Sequence, residues 1–489
     1  MSGFINNTFK LMSGNIVAQI FCVILIPIIT RLYTPDDYGV FQLFISISSV
    51  ITIFSCLSYQ LAIMLPEEDE ESINIVALCV ILILIVSIIS GAILLIFSSD
   101  IGKLLNSSEI SSYLVFIPIT VFLSGIFSVL SYWMARKKKF GTMATAHIVN
   151  STFSRIIQIA LGLHNPTALG LIIGQIIGHG SSLIIFVKSI KNDSNILRFI
   201  SINKIKRQAI RYKRFPIYTS WSTTANTIST QITPITLAFF FNSTTVGYYA
   251  LANMVIFLPI SFFGQALGNV FFQKASEEKN KTGEIVGIVK DVMRRLIAFG
   301  LFPSFVLMIM GGVIFSEILG PQWSEAGRYA GILAPWTLFV FIASPLSTIF
   351  AILEKQTIDL FFNILILFSR LCVLIIGGLL NDPIISLLLY SITGVVFWGW
   401  MNTYLLMISG VKLSEGLLLY VKPLFLSIIL SIPMILINYF QSTGFAKFLV
   451  IIAVSIIYYT IIIKRDALLC KELNKILQNF HGIRYLSRK

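Results

Sequence analysis

INIVALCVILILIVSIISGAILLIFS, residues 73–98, carries no charged side chain. As a helix rising about 1.5 Å per residue, it is long enough to cross the roughly 30 Å of hydrocarbon in a bilayer. A surface helix of a soluble domain presents an apolar stripe, whereas this run is apolar all round. Runs of the same kind recur along the whole chain of 489 residues, of which 56% are hydrophobic and 12% charged. They fall at 12–33, 38–65, 73–98, 112–134, 141–163, 167–188, 216–241, 246–272, 289–315, 329–353, 358–379, 383–408, 418–438 and 443–463. The expected fold is therefore all-α integral membrane, with about fourteen transmembrane helices and short connections. No stretch is left over for a soluble catalytic domain.

The run from Met12 to Arg31 lacks a small-residue cleavage site, and a second run follows at once, so it is expected to be a retained helix. With the N-terminus inside, the inner segments hold 30 of the 36 Lys and Arg residues. The outer segments hold four: Arg31, Lys103, Arg328 and Lys447. The positive-inside rule then makes both termini cytoplasmic and accounts for the net charge of +14 without nucleic acid. Of the five cysteines, Cys22, Cys56, Cys79 and Cys372 lie in apolar runs and Cys470 in the basic tail, and no CxxC pair occurs.

Two arginines, Arg155 and Arg370, sit mid-helix in the fifth and eleventh spans, and they expose an internal repeat. Ser154-Arg155 recurs as Ser369-Arg370, Asn165-Pro166 as Asn381-Asp382-Pro383, and Gly178 as Gly394. Earlier in each half, Pro27 and Gly39 are matched by Pro234 and Gly247, with GVFQLF answered by GYYALA. Six spans separate the copies, so both insert the same way up and are expected to be related by an axis along the membrane normal. The chain divides into six spans (1–188), a basic cytoplasmic linker (189–214), six further spans (215–410), two additional spans (411–463) and a basic cytoplasmic tail (464–489). The linker intersperses Ile196, Phe199, Ile200, Ile202, Ile205 and Ile210 among its charges, which suits either a helix on an anionic leaflet or a solvated loop.

Enzyme chemistry lacks its parts. All 22 acidic residues fall in loops or near helix ends, and His147, His164, His179 and His481 form no ligand pair, so no metal or cofactor is expected. Gly170, Gly174 and Gly178, spaced by four in an apolar run, suit close helix packing rather than a nucleotide. An arginine at the centre of a membrane helix costs about 2.5 to 3.5 kcal/mol even on lenient scales, so Arg155 and Arg370 must face the bundle interior or water. There each could meet an anion through its guanidinium fork or tie two helices together at backbone carbonyls.

The first two helices of each half carry a second signal. Gln19 and Arg31 lie along the first span and Gln60 along the second. The seventh is denser, with Asn226 and Gln231 among the hydroxyls that run from Thr219 to Thr233. Such a face suits a water-filled cavity where sugar hydroxyls exchange water for protein partners, although hydroxyls also glue helices together. Pro27 and Pro234 interrupt the backbone ladder in equivalent helices, as hinges or as fixed kinks.

Several strings carry a resemblance: SGNIVAQ from Ser13, ITRLYTPDDYGVFQL from Ile29, YQLAIMLPEEDEES from Tyr59 and ILGPQWSEAGRYAGILAP from Ile318. With them the chain resembles the polysaccharide (O-antigen, Wzx-like) flippases of the multidrug/oligosaccharidyl-lipid/polysaccharide exporter superfamily. That resemblance implies two six-helix bundles around a central cavity, with two further helices at the C-terminus. It implies an undecaprenyl-pyrophosphate-linked oligosaccharide substrate, carried from the cytoplasmic to the periplasmic leaflet of the bacterial inner membrane. Basic cavity residues are typical of the family, and by position these are Arg31, Arg155 and Arg370. Membrane lipids, the glycan polymerase and its assembly machinery are the implied partners. The competing expectation is a cation-coupled multidrug exporter, which needs a carboxylate in the helical core. A membrane glycosyltransferase would need catalytic acids.

Overall fold

The computed structural model describes residues 23–191, 198–260, 264–353, 355–440 and 443–465. Gln19, the beginning of the first span and the tail beyond Arg465 lie outside these residues. In chain order the principal helices are α1 (Val23–Leu32), α2 (Pro35–Cys56), α3 (Asp69–Leu104), α4 (Ile117–Arg136), α5 (Phe140–His164), α6 (Ala168–Lys191) and α7 (Ile202–Arg211). Then come α8 (Ser220–Phe240), α9 (Ser243–Pro259), α10 (Gln265–Thr282), α11 (Val286–Leu319), α12 (Ser324–Leu346), α13 (Gln356–Leu379), α14 (Pro383–Ile408), α15 (Leu413–Tyr439) and α16 (Gly444–Arg465). No strand occurs among the described residues.

Ten of these helices, α2, α3, α4, α6 and α11 to α16, are long and apolar enough to cross a membrane, so the protein is multi-pass. The remaining expected positions are filled by α1, α5, α8 and α9. Two of them fall short for a chemical reason. Helix α5 carries His147, Asn150, Arg155 and Gln158, and α8 carries the hydroxyl run. A helix that polar gains little from lipid and must find other company.

Two expected spans are interrupted within the described residues. The second stops at Cys56, because Leu57 and Ser58 adopt φ of 47° and 60°, and a four-residue helix, Tyr59–Ala62, follows. Two left-handed residues in succession cost about 1–2 kcal/mol each. Contacts that a straight helix would not make offset this: Ser220 Oγ donates to Ser58 Oγ at 3.2 Å and Tyr59 Oη to the Ala209 carbonyl at 2.9 Å. The tenth span ends one residue after Pro345, and a four-residue helix, Ile349–Ile352, follows.

The linker forms the short helix α7, anchored on the acidic start of α3. Arg211 pairs with Glu71 at 2.9 Å and Lys204 with Glu70 at 3.6 Å. Fully buried Asn74 donates to the Phe199 carbonyl and accepts from the Ser201 amide. Asp69 holds Arg136 at 2.7 Å and also Lys137. The run Glu67 to Glu71 thus serves as a dock for basic residues. Ile205 and Ala209 pack inward against the cluster around Trp133 and Phe186, while Ile202 and Ile210 stay exposed.

The chain forms two compact units. The first gathers the chain through Leu251 with Ile318–Trp323 and Leu371–Ser386, and the second holds Ala252–Glu317, Ser324–Arg370 and the chain from Leu387. Within the first unit the repeat is built in local detail. Thr34 caps α2 by accepting from the Asp37 amide, and Asn242 caps α9 by accepting from the Thr245 amide. Gly39 lies so close to the Ser243 carbonyl, and Gly247 to the Pro35 carbonyl, that a Cβ on either would overlap that oxygen. Positions 35 and 39 of one copy therefore meet positions 243 and 247 of the other reciprocally, the pattern of a two-fold contact. Asp36 accepts from the hydroxyls of Ser243 and Thr244 at the same crossing.

A second pair follows the same rule. The Tyr33 ring packs on Gly162 of α5, and the Phe240 ring packs on Gly378 of α13. The end of α1 is closed by the ILGPQW string. Trp323 Nε1 and Gln322 Nε2 both donate to the Thr30 carbonyl, at 2.6 and 2.8 Å, and Thr30 Oγ1 donates to the Leu319 carbonyl at 2.9 Å. Carbonyls of a last helical turn have no partner in their own helix, and in a membrane they need one. Gly320, at φ 121°, supplies the turn that brings these donors round.

In the second unit, α11 and α12 cross at Gly311 and Gly327, each packed on the other's carbonyl. Pro303 interrupts α11 and removes the amide that would have served the Phe299 carbonyl. Tyr459 of α16 donates to that carbonyl at 3.2 Å, and Tyr458 donates to the Ala298 carbonyl at 2.7 Å. Tyr458 also stacks on Phe302, with ring centroids 4.4 Å apart.

Candidate functional site

In the first unit the polar load of α2 and α8 meets along their contact. Gln42 Nε2 donates to Ser46 Oγ at 3.3 Å, and Ser46 Oγ donates to Gln231 Oε1 at 2.9 Å. Thr52 and Ser124 share a hydroxyl hydrogen bond at 3.3 Å. Gln60 Oε1 and Thr224 Oγ1 are buried without a partner among the described residues. Part of the polar load is thus helix glue, and Gln231 belongs to that part.

The opposite side of α8 differs. Thr223, Asn226 and Thr230 are exposed and follow a spacing of three and four, so they form one stripe along the helix. Exposed side chains on the long apolar helices are of another kind, such as Ile88, Leu95, Ile96 and Phe368. The hydroxyls of Thr223 and Thr230 donate back to the carbonyls of Thr219 and Thr227, at 2.9 and 2.8 Å, so the Asn226 amide is the group of this stripe that its own helix does not serve. Pro234 is buried in the second half of the same helix, and Pro27 lies inside α1.

The two repeat arginines occupy matching places, each nine residues before the end of its helix, Phe140–His164 or Gln356–Leu379. Their surroundings differ. Arg155 Nη1 donates to Gln158 Oε1 at 3.0 Å. Gln158 is fully buried; its Nε2 donates to the Leu171 carbonyl at 3.0 Å, and its own carbonyl accepts from Tyr33 Oη at 2.6 Å. The glycine stripe makes room: Gly174 lies against Gln158, and Gly178 against Asn150 and Ser154, drawing α6 onto α5. Replacing Gln158 by Leu removes the amide from Leu171 and from Arg155 together. The expected cost is about 1–3 kcal/mol, read as a lower melting midpoint of the purified protein, and an unchanged midpoint would refute the network.

Arg370, in the second unit, has no carboxylate or carbonyl partner among the described residues. Its guanidinium lies 5.4 Å from the ring centroids of both Trp336 and Tyr390. Those rings stand at 84° to each other, with centroids 5.1 Å apart, and make a corner around the cation. Gly394 lets the Trp336 indole sit there, since a Cβ at 394 would overlap it. Stacking covers the flat faces of a guanidinium and leaves the N–H groups at its edge to bind an anion. Arg31 lies in the last turn of α1 and is exposed. Gln158, Trp336 and Tyr390 are the additions that the sequence reading missed. Gln158 was within reach, three residues beyond Arg155 on one helix face; the rings come from distant helices and left no local signal.

The helices have the fold of transporters of the MOP superfamily. A structure titled lipid II flippase MurJ, inward closed conformation, matches with a TM-score of 0.68 and 15% identity, over 92% of this chain and 98% of that one. An inward-facing multidrug resistance MATE family transporter of the MOP superfamily matches at 0.57 with 12% identity, over 79% and 96%. A MOP superfamily transporter from Pyrococcus furiosus matches at 0.51 with 12% identity, over 83% and 95%. By sequence, no curated protein matches. The family described as polysaccharide biosynthesis protein matches residues 28–328, and the chain belongs to that family.

Proposed function

We propose that the protein is a flippase for an undecaprenyl-pyrophosphate-linked oligosaccharide repeat unit, of O-antigen or capsular type. It carries the unit from the cytoplasmic to the periplasmic leaflet of a bacterial inner membrane by alternating access, with both termini cytoplasmic. The observation that carries this reading is the exposed stripe of Thr223, Asn226 and Thr230 along α8, which stands where the seventh span is expected. A glycan must lose its water on entering the membrane, and hydroxyl and amide side chains replace those hydrogen bonds. Arg155 or Arg370 is the candidate cation for the pyrophosphate, Arg370 with the edge of its guanidinium uncovered by the two rings, and Arg31 is a third candidate. Family membership and the likeness to flippase and exporter folds support a transporter in glycan assembly, working beside the polymerase.

A cation-coupled multidrug exporter shares the fold. Its requirement, a carboxylate at membrane depth, is not met among the described residues, whose acidic groups stand near helix ends. Deleting the gene in its own host should leave lipid-linked repeat units on the cytoplasmic face and remove the surface glycan, with drug susceptibility unchanged. Normal surface glycan, or drug sensitivity alone, would sink the proposal.

A further inference from the structure

At one membrane end of the second unit, the first turns of α11 and α15 and the last turn of α16 enclose a groove of about 1100 Å³. Five cations, Lys290, Arg294, Arg295, Lys422 and Arg465, line it against one carboxylate, Glu415. That carboxylate is paired with Lys290 at 2.8 Å, and outside the groove's lining Asp291 pairs with Arg294 at 3.5 Å, both residues exposed. Below the charges the lining turns apolar, through Phe299, Phe425, Ile429 and Ile462. Arg294, Lys422, Arg465, Phe425 and Ile429 are exposed, so both halves of the groove open outward. Two of the lining residues, Ala298 and Phe299, are held through their carbonyls by Tyr458 and Tyr459.

The positions fit the ends of the helices. The cations stand on the turns nearest the membrane surface, and the aromatic and branched side chains stand deeper. The volume exceeds the roughly 300–1,000 Å³ of a pocket for a drug-sized molecule. Charge and depth together match an amphiphile with an anionic phosphate head and an acyl chain. Each Lys or Arg near a surface contributes about 1 kcal/mol towards anionic lipid, and a guanidinium fork binds phosphate oxygens in pairs. We propose that this groove is a binding site for an anionic phospholipid of the surrounding leaflet, with its phosphate among Arg294, Lys422 and Arg465 and a chain along Phe425 and Ile429. It is a site for a resident lipid, separate from the residues assigned to the transported molecule.

Native mass spectrometry of the full-length protein, released from detergent, tests this with three probes. These are a phosphatidylglycerol, a phosphatidylcholine with the same chains, and soluble glycerol phosphate. The wild type should bind the phosphatidylglycerol about tenfold more tightly than the phosphatidylcholine, and glycerol phosphate should not displace it. K422Q/R465Q, a pair of exposed positions, should abolish that preference, and F425A should weaken both lipids alike. Polyprenyl phosphate should compete no better than the phosphatidylglycerol. Equal binding of the two lipids, or a preference unchanged in K422Q/R465Q, would overturn the site. Displacement by glycerol phosphate would make it a free-phosphate site, and stronger competition by polyprenyl phosphate would make it part of the transport path; either result refutes the resident lipid.

Discussion

Alanine at Gly39 or at Gly247 lowers the melting midpoint of the purified protein sharply, and the two substitutions together cost little more than one. Each added methyl meets a backbone carbonyl of the opposite helix, at Ser243 or at Pro35. A side chain in the way can change rotamer, but a carbonyl held in a helix cannot, so α2 and α9 must part. Overpacking commonly costs 1–3 kcal/mol; against backbone we expect about 3 kcal/mol for each single variant. Once the helices have separated, the second methyl finds its space already made, so the pair is strongly non-additive. Gly180 is the control. A Cβ there meets nothing within 4 Å, so G180A should hold or raise the midpoint, as alanine is the better helix former. Additive losses, or a stable G39A, would mean that the reciprocal contact does not hold the helices.

The second large effect concerns the arginines. In cells carrying the gene as their single copy, R370Q should cut export of the glycan about tenfold or more, equivalent to ~1.4 kcal/mol or more. R370K should fall between, because an ammonium still sits over the Trp336 and Tyr390 rings but lacks the fork that grips two phosphate oxygens. R155Q should lower export too. Its effect should be accompanied by a loss of stability, since Arg155 is bonded to the buried Gln158. Normal export by well-expressed R155Q/R370Q would make both arginines structural and leave the anion to Arg31 or to amides at helix ends.

What could be read from the sequence follows from what is one-dimensional in the fold. Crossing a bilayer needs a length of apolar chain, so the ten long apolar helices were legible from composition, while the expected fifth and seventh spans are helices, α5 and α8, too polar to be counted with them. The repeat was legible as well, because Gly39 and Gly247 sit at corresponding distances from Pro27 and Pro234. That the two glycines touch was not legible. Nothing in a linear comparison says whether copies face each other or stand apart. The break at Leu57 and Ser58 left no trace either, since no glycine or proline marks it and distant partners, Ser220 and Ala209, hold it in place. The candidate site divides in the same way. Arg155 and Arg370 stood out as charges in lipid, and Asn226 and Gln231 as amides among hydroxyls. The division of α8 into a bonded side with Gln231 and an open side with Asn226 depends on which helix lies beside it. The strings behind the family resemblance prove to be largely architectural. Thr30, Thr34, Asp36, Gly39, Gln322 and Trp323 spend their polar groups or their smallness on helix ends and crossings.

The interruption of α11 bears on how the chain is made. Spans enter a membrane in the order of their synthesis, and Pro303 enters with α11 while Tyr459 arrives with α16, the last helix described. Until then the Phe299 carbonyl lies in the bilayer without its own helix's amide and without the tyrosine that later serves it. For the interval in which four more spans are being inserted, the half-made protein carries an open acceptor. A ribosome that stalls between residues 410 and 459, or a gene truncated there, leaves that acceptor permanently unserved. Such products should be recognised by membrane quality control and cleared, even though every helix of both repeats has already been made.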